Sequence, residues 1–367
     1  MHEIAELSKG IGISKEQLSE NGTPCILYGE LYTKYKSEII SKIISKTDIE
    51  KSKLKHSKQN DVIIPCSGET AIDIAVARCV PFDNVLLGGD MNVIRLHKYD
   101  GAFMAYQLNG KRKTDIAKLA QGVSVVHLYG ENLKSIKTYN PSLQEQQKIV
   151  KLLSMLDERL EVQNKIIEDL KKLKSAIIDK LYSSTNGEIY SFRQLFEVVN
   201  EKNKARAYKN VLSASQELGM IERSDINIDI KFEQESISGY KIVHKGDYVV
   251  HLRSFQGGFA FSDRTGICSP AYIILRPNDL VVYGYLSHFF TSKPFIKSLK
   301  LVTYGIRDGR SINVDEWLDM PILLPPAQEQ IRILTIVNAI DAKLHNEVKV
   351  QFCLSSQKSY LLNTMFI

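Results

Sequence analysis

Two stretches of the chain carry apolar residues at alternating steps of four and three. The first series begins at Ile149, Leu153 and Leu156, and the second runs from Ile333 to Met365. A heptad spacing sustained over this length is typical of a coiled coil. At ~1.5 Å per residue, about 40 residues make a rod of roughly 60 Å, which is too long for one small domain to cover. The pattern therefore predicts two long helices that pair with each other.

Related motifs open the two helices. Pro141–Gln146 reads PSLQEQ, and Pro325–Gln330 reads PPAQEQ at an offset of 184 residues. In the first motif, Ser142 and Glu145 have the spacing of a capping box, which predicts that the helix begins there; it is expected to run to about Ser183. The chain length of 367 residues is one less than twice 184. The sequence therefore indicates two tandem copies of one unit, each ending in a long helix.

The repeat also suggests how the helices pair. If they cross antiparallel at their midpoints, residues whose numbers add up to about 514 face each other. Opposite charges then lie side by side in two places. The predicted neighbours are Lys174 with Asp341, Lys358 with Asp157, and Gln163 with Gln351.

The segments before the helices mix short β-branched runs with turn residues and shorter helical stretches, which we expect at residues 34–46 and 284–300. This pattern is typical of an α+β fold rather than a regular βαβ alternation. The predicted domains are a body over residues 1–140, a helix over 141–185, a second body over 186–325 and a second helix over 326–367.

Composition adds little to this picture. Of the residues, 25% are charged and 44% apolar, and the formal net charge is +6. There is no run of about 18 apolar residues and no charged-then-apolar leader, so a cytoplasmic location is expected. The five cysteines are scattered, which argues against a disulfide framework or a zinc site and favours reduced, mostly buried thiols.

A search for motifs of catalysis finds no nucleotide-binding glycine loop, no zinc-protease motif, no nucleophile elbow and no tetrapeptide of the amino-methyltransferase type. Polar, basic and aromatic residues do cluster in the loops of both bodies. Such side chains read base edges and hold phosphates. Because the net charge is small, any DNA binding would depend on local surface patches and on partner proteins.

At this point the sequence resembles the specificity subunits of type I restriction-modification systems, over essentially the whole chain. The resemblance rests on the motifs at which the two long helices begin, on Asp157 and Asp341, and on the helix sequence of residues 165–174. Short sequence motifs in the two bodies support the resemblance, at Tyr28–Tyr32, Pro65–Thr70, Gly88–Asp90, Leu119–Gly122 and Val211–Met220.

The resemblance implies two target-recognition domains, related by a pseudo-twofold axis and separated by two antiparallel helices. Each domain would read one half-site of double-stranded DNA, and the helices would set the spacer between the half-sites. It further implies that the helices dock two modification subunits, which use S-adenosylmethionine to methylate adenine N6. Restriction subunits would then add ATP- and Mg-dependent translocation and cleavage. This chain would itself be no enzyme and hold no cofactor, with no catalytic and no metal-binding residue.

By analogy with the family, two sets of site residues are expected. The DNA-binding set is Tyr32, Lys34, Ser67, Glu69, Thr70, Lys111, Arg112, Gln121 and Ser124 in the first body, and Ser215, Gln216, Arg253, Gln256, Tyr304, Arg307, Arg310 and Ser311 in the second. The partner-binding set is Gln144, Glu145, Gln146, Asp157, Gln328, Glu329, Gln330 and Asp341.

Two alternatives stay open. The chain could be a scaffold protein whose coiled coil pairs with unrelated partners and whose bodies bind protein, since protein interfaces also favour Tyr and Arg. A stand-alone enzyme is the third possibility, which the missing motifs disfavour.

Overall fold

The computed structural model describes residues 1, 3–50, 54–215, 218–223, 234–251, 258–304 and 311–366, without the side chains of 234–236. The chain divides into two compact units: Met1–Lys165 with Val348–Ile367, and Ile166–Glu347. Each unit contains one globular body and a segment of each long helix. The mixture of strands and helices confirms the predicted α+β class.

The two predicted long helices are present, at Leu143–Ser183 and Ala327–Thr364. The capping box forms as expected. The Ser142 amide donates to Glu145 Oε2 at 3.1 Å, and the Glu145 amide donates to Ser142 Oγ at 3.4 Å. These bonds satisfy amides that the first helical turn leaves without partners.

Side-chain contacts within each unit show that the helices run antiparallel. In the first unit, Lys358 pairs with Asp157, and Gln351 donates to Asn164, the residue next to Gln163. In the second, Lys174 Nζ lies 2.5 Å from Asp341 Oδ1. Each pair has residue numbers that add up to 515, so the predicted register is correct to within one residue.

The described residues of the first body form strands and short helices. An antiparallel sheet has the strand order Ala5–Lys9, Met91–Leu96, Asp61–Pro65 and Arg78–Val80. A five-stranded sheet has the order Leu18–Ser19, Ser45–Thr47, Thr23–Ile26, Leu86–Leu87 and Lys55–His56, and Val126–His127 pairs with Ser67–Gly68. The helices are Glu30–Thr33, Ala71–Ile74, Gly101–Asn109, Lys113–Ala117 and Gly130–Leu133, with a 3-10 turn at Lys15–Gln17.

The body of the second unit repeats the four-stranded sheet and has two-stranded pairs in its other described parts. Its four-stranded antiparallel sheet has the order Phe196–Val199, Ile273–Pro277, Tyr248–Val250 and Phe259–Phe261. The two-stranded pairs are Glu188–Ser191 with Pro321–Leu324, Leu212–Ser215 with Gly219–Glu222, Lys241–Val243 with Gly266–Cys268, and Thr303–Tyr304 with Ser311–Ile312. The helices are Phe192–Leu195, Tyr285–Phe289, Lys293–Ser298 and Val314–Leu318, with 3-10 turns at Gln234–Gly239 and Leu299–Val302.

One predicted helical stretch, at residues 34–46, is wrong. The helix Glu30–Thr33 ends before it, and Ser45–Thr47 is a strand that pairs with Thr23–Ile26. Pairing with a strand distant in sequence overrides the local helical pattern. The stretch at 284–300 does contain helices, at Tyr285–Phe289 and Lys293–Ser298.

A matching ion pair fixes the central sheet of each body. Arg95 donates from Nε and Nη2 to both carboxylate oxygens of Asp61, at 2.8 and 2.7 Å. Arg276 makes the same two bonds to Asp247, both at 3.0 Å. Both aspartates are buried. The two copies therefore share a bidentate contact, the strongest form of ion pair, which the loose sequence repeat alone does not reveal.

Four of the five cysteines, Cys25, Cys66, Cys79 and Cys268, are buried, Cys353 is exposed, and all five are free thiols. Burial is the main cause that raises the pKa of Cys79 and Cys268 to about 12. The predicted burial of most of the thiols is confirmed. Among the residues described, no helix is long and apolar enough to cross a membrane.

Candidate nucleic-acid interface

A short hairpin at residues 121–127 has an exposed turn in the first body. The Gln121 amide donates to the His127 carbonyl at 2.9 Å, and the His127 amide returns the bond at 2.7 Å. Gly122 has a φ of +124°, and a Cβ there would lie 2.1 Å from the Val125 carbonyl oxygen, so the turn requires glycine. Val126 and Leu128 are buried and anchor the second arm.

The second arm of the hairpin brings two predicted segments together. Val126 pairs with Gly68 and His127 with Ser67, so residues 67–68 lie beside residues 126–127 of the hairpin. Glu69 and Thr70 are exposed, and Thr70 Oγ1 caps the helix Ala71–Ile74 by accepting from the Asp73 amide at 3.2 Å. Two segments that are about 50 residues apart in sequence thus form one polar edge.

Tyr32 completes this edge. A Cβ on Gly68 would lie 3.8 Å from the Tyr32 hydroxyl oxygen. Partial burial raises the pKa of Tyr32, and the nearby Tyr28, Glu69 and Asp73 raise it further. The phenol therefore stays protonated and can donate a hydrogen bond. We call the set Tyr32, Glu69, Thr70, Gln121 and Ser124 the hairpin patch.

The remaining predicted residues of the first body lie elsewhere or are covered. Ser67 is buried and donates to Asp90 Oδ2 at 3.4 Å, so its hydroxyl is not on the surface. Lys34 is engaged with Glu30 at 2.6 Å. Lys111 and Arg112 follow Gly110, which packs against the Leu362 backbone of the second long helix; Arg112 lies 3.5 Å from Asp115. For these residues DNA contact stays a prediction.

Three exposed residues next to the patch are absent from the predicted set. His127 and Tyr129 stack with their ring centroids 6.3 Å apart, and Lys9 Nζ lies 5.9 Å from the Tyr129 centroid. The signal for the two rings is the alternation of Val126, His127, Leu128 and Tyr129, because every second residue of a strand faces outward.

The second body has a hairpin at the corresponding place. Thr303 pairs with Ile312 and Tyr304 with Ser311, and the connecting loop contains Arg307 and Arg310, which lie outside the described residues. Tyr304 and Ser311 are exposed, and the Tyr304 hydroxyl donates to Glu316 at 2.6 Å. This short-range hydrogen bond raises the pKa of the Tyr304 phenol, and the charge of Glu316 adds to it.

The other predicted residues of the second body are less informative. Ser215 is half-buried on a different strand pair, where its hydroxyl accepts from the Leu218 amide at 3.3 Å. Gln216, Arg253 and Gln256 lie outside the described residues. Within the described parts, we find Tyr304 and Ser311 together and Ser215 on a separate element.

The last glutamine of each helix-opening motif has an internal role. Gln146 accepts from the Asp100 amide at 2.9 Å and donates to the Pro141 carbonyl at 2.8 Å. Gln330 likewise accepts from the Val282 amide at 2.8 Å and donates to the Pro325 carbonyl at 2.9 Å. Both side chains are buried, so they join each body to the start of its helix and are not available on the surface for a partner.

The other predicted partner-binding residues divide into two kinds. Gln144, Glu145 and Gln328 are exposed, and Glu329 is half-buried beside Arg332. Asp157 and Asp341 form the ion pairs between the helices, and Asp157 also accepts from Ser37 and Tyr106, at 2.9 and 2.6 Å. The described residues contain no group of three or more metal-ligating side chains that could hold a metal ion.

Comparison with known proteins identifies the first copy. The family model described as the type I restriction modification DNA specificity domain matches residues 1–172. Residues 1–172 are therefore similar in sequence to the type I DNA specificity domain. The matched span includes the first body and the hairpin patch, and it ends inside the first long helix after most of that helix.

Relatives extend the likeness beyond the specificity domain. The chain is 24% identical over 312 residues to a putative type I restriction enzyme MjaX specificity subunit of Methanocaldococcus jannaschii, covering 75% of this chain and 70% of the relative. The fold resembles that of the S subunit of a type I restriction-modification system from M. genitalium, with a TM-score of 0.57, 17% identity, and 100% and 94% of the two chains covered. A chain from a structure of an assembled type I system gives a TM-score of 0.59 at 15% identity, covering 98% and 94%.

Proposed function

We propose that this chain is the DNA-recognition subunit of a type I restriction-modification complex and that each body reads one half of a bipartite target. The hairpin patch carries the proposal. It presents an amide, a carboxylate and hydroxyls on a backbone that is fixed by strand pairing. These are the groups that pair with base edges in the major groove. A site on rigid backbone can discriminate between bases that differ by one donor or acceptor.

The second hairpin supports the bipartite part of the proposal. It occupies the corresponding place in the repeat, and its loop sequence Gly305–Arg310 contains two arginines and one aspartate, whereas the turn of the first hairpin, residues 122–125, contains no charged residue. Arginine most often reads guanine. Two hairpins of different chemistry on one scaffold suit two different half-sites.

We further propose that the modification subunits dock on the long helices and supply the chemistry. The helices have exposed apolar side chains, such as Met155, Val162 and Phe352, and their apolar surface could be buried when a partner binds. In this proposal S-adenosylmethionine binds to the modification subunits and ATP and Mg to the restriction subunits, and the flipped adenine enters a partner's pocket. The charge of +6 is small, so we expect tight DNA binding only in the assembled complex.

Selection from a pool of randomised DNA duplexes tests the proposal. The full chain is used alone and with co-expressed methyltransferase subunits. We expect the bound duplexes to share a two-part sequence, with binding stronger in the complex. A Gln121→Ala variant should lose preference at positions of one half. If the pool shows no enrichment in either form while the subunits still co-purify, the scaffold alternative is correct and the recognition proposal is wrong.

A further inference from the structure

One apolar side chain stands at the tip of the first hairpin. Val123 is 97% exposed, while Ile189, the next most exposed large apolar side chain among those described, is 75% exposed. Single exposed apolar residues are normal on protein surfaces. Val123 differs because it is almost fully exposed and lies within the hairpin that carries the predicted base-reading residues.

The local backbone gives no reason for valine at this position. Residues 122–125 form the turn and belong to no strand, so β-propensity does not favour valine there. Turns of this kind usually carry Gly, Asn, Asp or Ser. The turn is closed by the two Gln121–His127 backbone bonds and by Gly122, so Val123 adds nothing to its stability. At 97% exposure the Val123 side chain makes almost no contact within the folded chain.

The surroundings indicate what Val123 contacts. Its neighbours Gln121 and Ser124, with Glu69 and Thr70 on the paired segment, are exposed and polar, and Val125 of the same turn is 51% exposed. Exposed valine side chains among polar ones match a ligand that presents apolar groups among hydrogen-bond donors and acceptors, and Val123 is the more exposed of the two valines. The major groove has this composition, since its only apolar group is the C5-methyl of thymine.

We propose that Val123 reads a thymine by packing against its C5-methyl group. The inference rests on the proposed function and specifies one base of the first body's half-site. Valine suits this role because its branched side chain is stiff at χ1 and keeps its two methyl groups in place on the rigid turn. A wedge between base steps is less suitable, because inserted wedges are usually longer side chains such as Phe, Leu, Ile or Met.

Uracil substitution tests the proposal, since deoxyuridine differs from thymidine only by the missing methyl group. Each thymine of a selected duplex is replaced in turn, and binding by the complex of the full chain is measured. We expect one position in one half-site at which uracil weakens binding about fourfold, as the loss of a buried methyl-sized group predicts. In Val123→Ala that penalty should disappear. Val123→Thr, which keeps the side-chain shape and one methyl, should retain part of it.

The same substitution elsewhere provides the control. Val198→Ala removes a 51% exposed valine from a strand of the second unit and should leave the uracil penalty unchanged. The proposal is wrong if neither half-site contains a thymine on either strand, if uracil has no effect, or if the penalty persists in Val123→Ala. It is also wrong if Val123→Ala spares DNA binding and instead weakens co-purification of the methyltransferase subunits. A pool with no enriched sequence would overturn the proposed function as well.

Discussion

Tyr106 and His288 occupy corresponding positions in the two copies, and each lies beside the aspartate of an interhelical ion pair. The Tyr106 hydroxyl donates to Asp157 at 2.6 Å, and burial, followed by the charge of Asp157, raises the pKa of Tyr106. His288 Nε2 lies 3.9 Å from Asp341 and 3.5 Å from Asn338. Burial and the nearby Lys174 lower the pKa of His288, outweighing Asp341. In the first unit the Tyr106 hydroxyl therefore stays protonated, whereas in the second unit the His288 imidazole can gain a proton as the pH falls.

We expect acid to destabilise the second unit through His288. The pKa of His288 is below its ordinary value of 6.5 in the folded unit, so the unfolded chain takes up the proton first as the pH falls. Stability is thus fully present above about pH 6.5 and is lost as the pH falls from there toward the lowered pKa. Denaturant unfolding followed by the fluorescence of Trp317, which is the one tryptophan of the chain and is buried in this unit, measures the effect.

The variant His288→Tyr places the residue of the first copy in the second and supplies the control. We expect the unfolding midpoint of this variant to change less between about pH 7 and about pH 5 than that of the unsubstituted chain. An equal change in both proteins would show that other groups carry the acid sensitivity.

At the scale of elements, the helices could be predicted from sequence because their signals are local. Heptad spacing, the capping box and the repeat determine the helix starts and the pairing register to within one residue. The exact buried positions drift: Ile178 and Leu362 are buried, where the heptad count selects Ile177 and Leu361. A straight helix has 3.6 residues per turn and departs from a 3.5-residue repeat by ~20° per heptad.

The candidate site was harder to predict, for a physical reason. The hairpin patch joins Tyr32, Glu69 and Gln121, which are far apart in sequence and meet only through strand pairing. Composition identified the polar members, but it could not show that Ser67 is buried or that Gln146 and Gln330 bind their own bodies. His127 and Tyr129 alternate with Val126 and Leu128 in the sequence, which could have indicated them, and the burial of the two apolar residues confirms that the rings face outward.

Charge reversal between the helices tests the register. Lys174→Asp places two carboxylates together, and Asp341→Lys places two ammonium groups together. Because both side chains are partly exposed, we expect each single change to lower the free energy of unfolding of the second unit by roughly 1 kcal/mol. The double variant restores an attractive pair and should recover much of that loss.

The readout for this pair is again Trp317 fluorescence during denaturant unfolding. Lys172→Asp is the matched control, since Lys172 is 75% exposed on the same helix; its effect should be no more than about 0.5 kcal/mol. Simple addition of the two single effects in the Lys174→Asp, Asp341→Lys variant would mean that the two side chains do not interact.

At the scale of the whole molecule, the two copies share their supporting contacts and differ in their hairpins. The Asp61–Arg95 and Asp247–Arg276 pairs correspond, as do the bonds of Gln146 and Gln330. The hairpin sequences, by contrast, have no charged residue in common. If the residues that stabilise each body are separate from the residues that recognise DNA bases, a change in one hairpin should alter recognition of one half of the target and leave the other half intact.

Paired variants in the two hairpins test this modularity. Arg307→Ala should relax or abolish recognition of one half-site, at a cost of about 1–3 kcal/mol if the arginine binds a base with two bonds. Gln121→Ala should relax the other half, and the double variant should show the two losses added, since the changes lie in different units. The base preference of bound duplexes, or methylation at the adenine of each half, provides the measurement. Equal loss at both halves from Arg307→Ala alone would mean that the bodies do not read DNA independently.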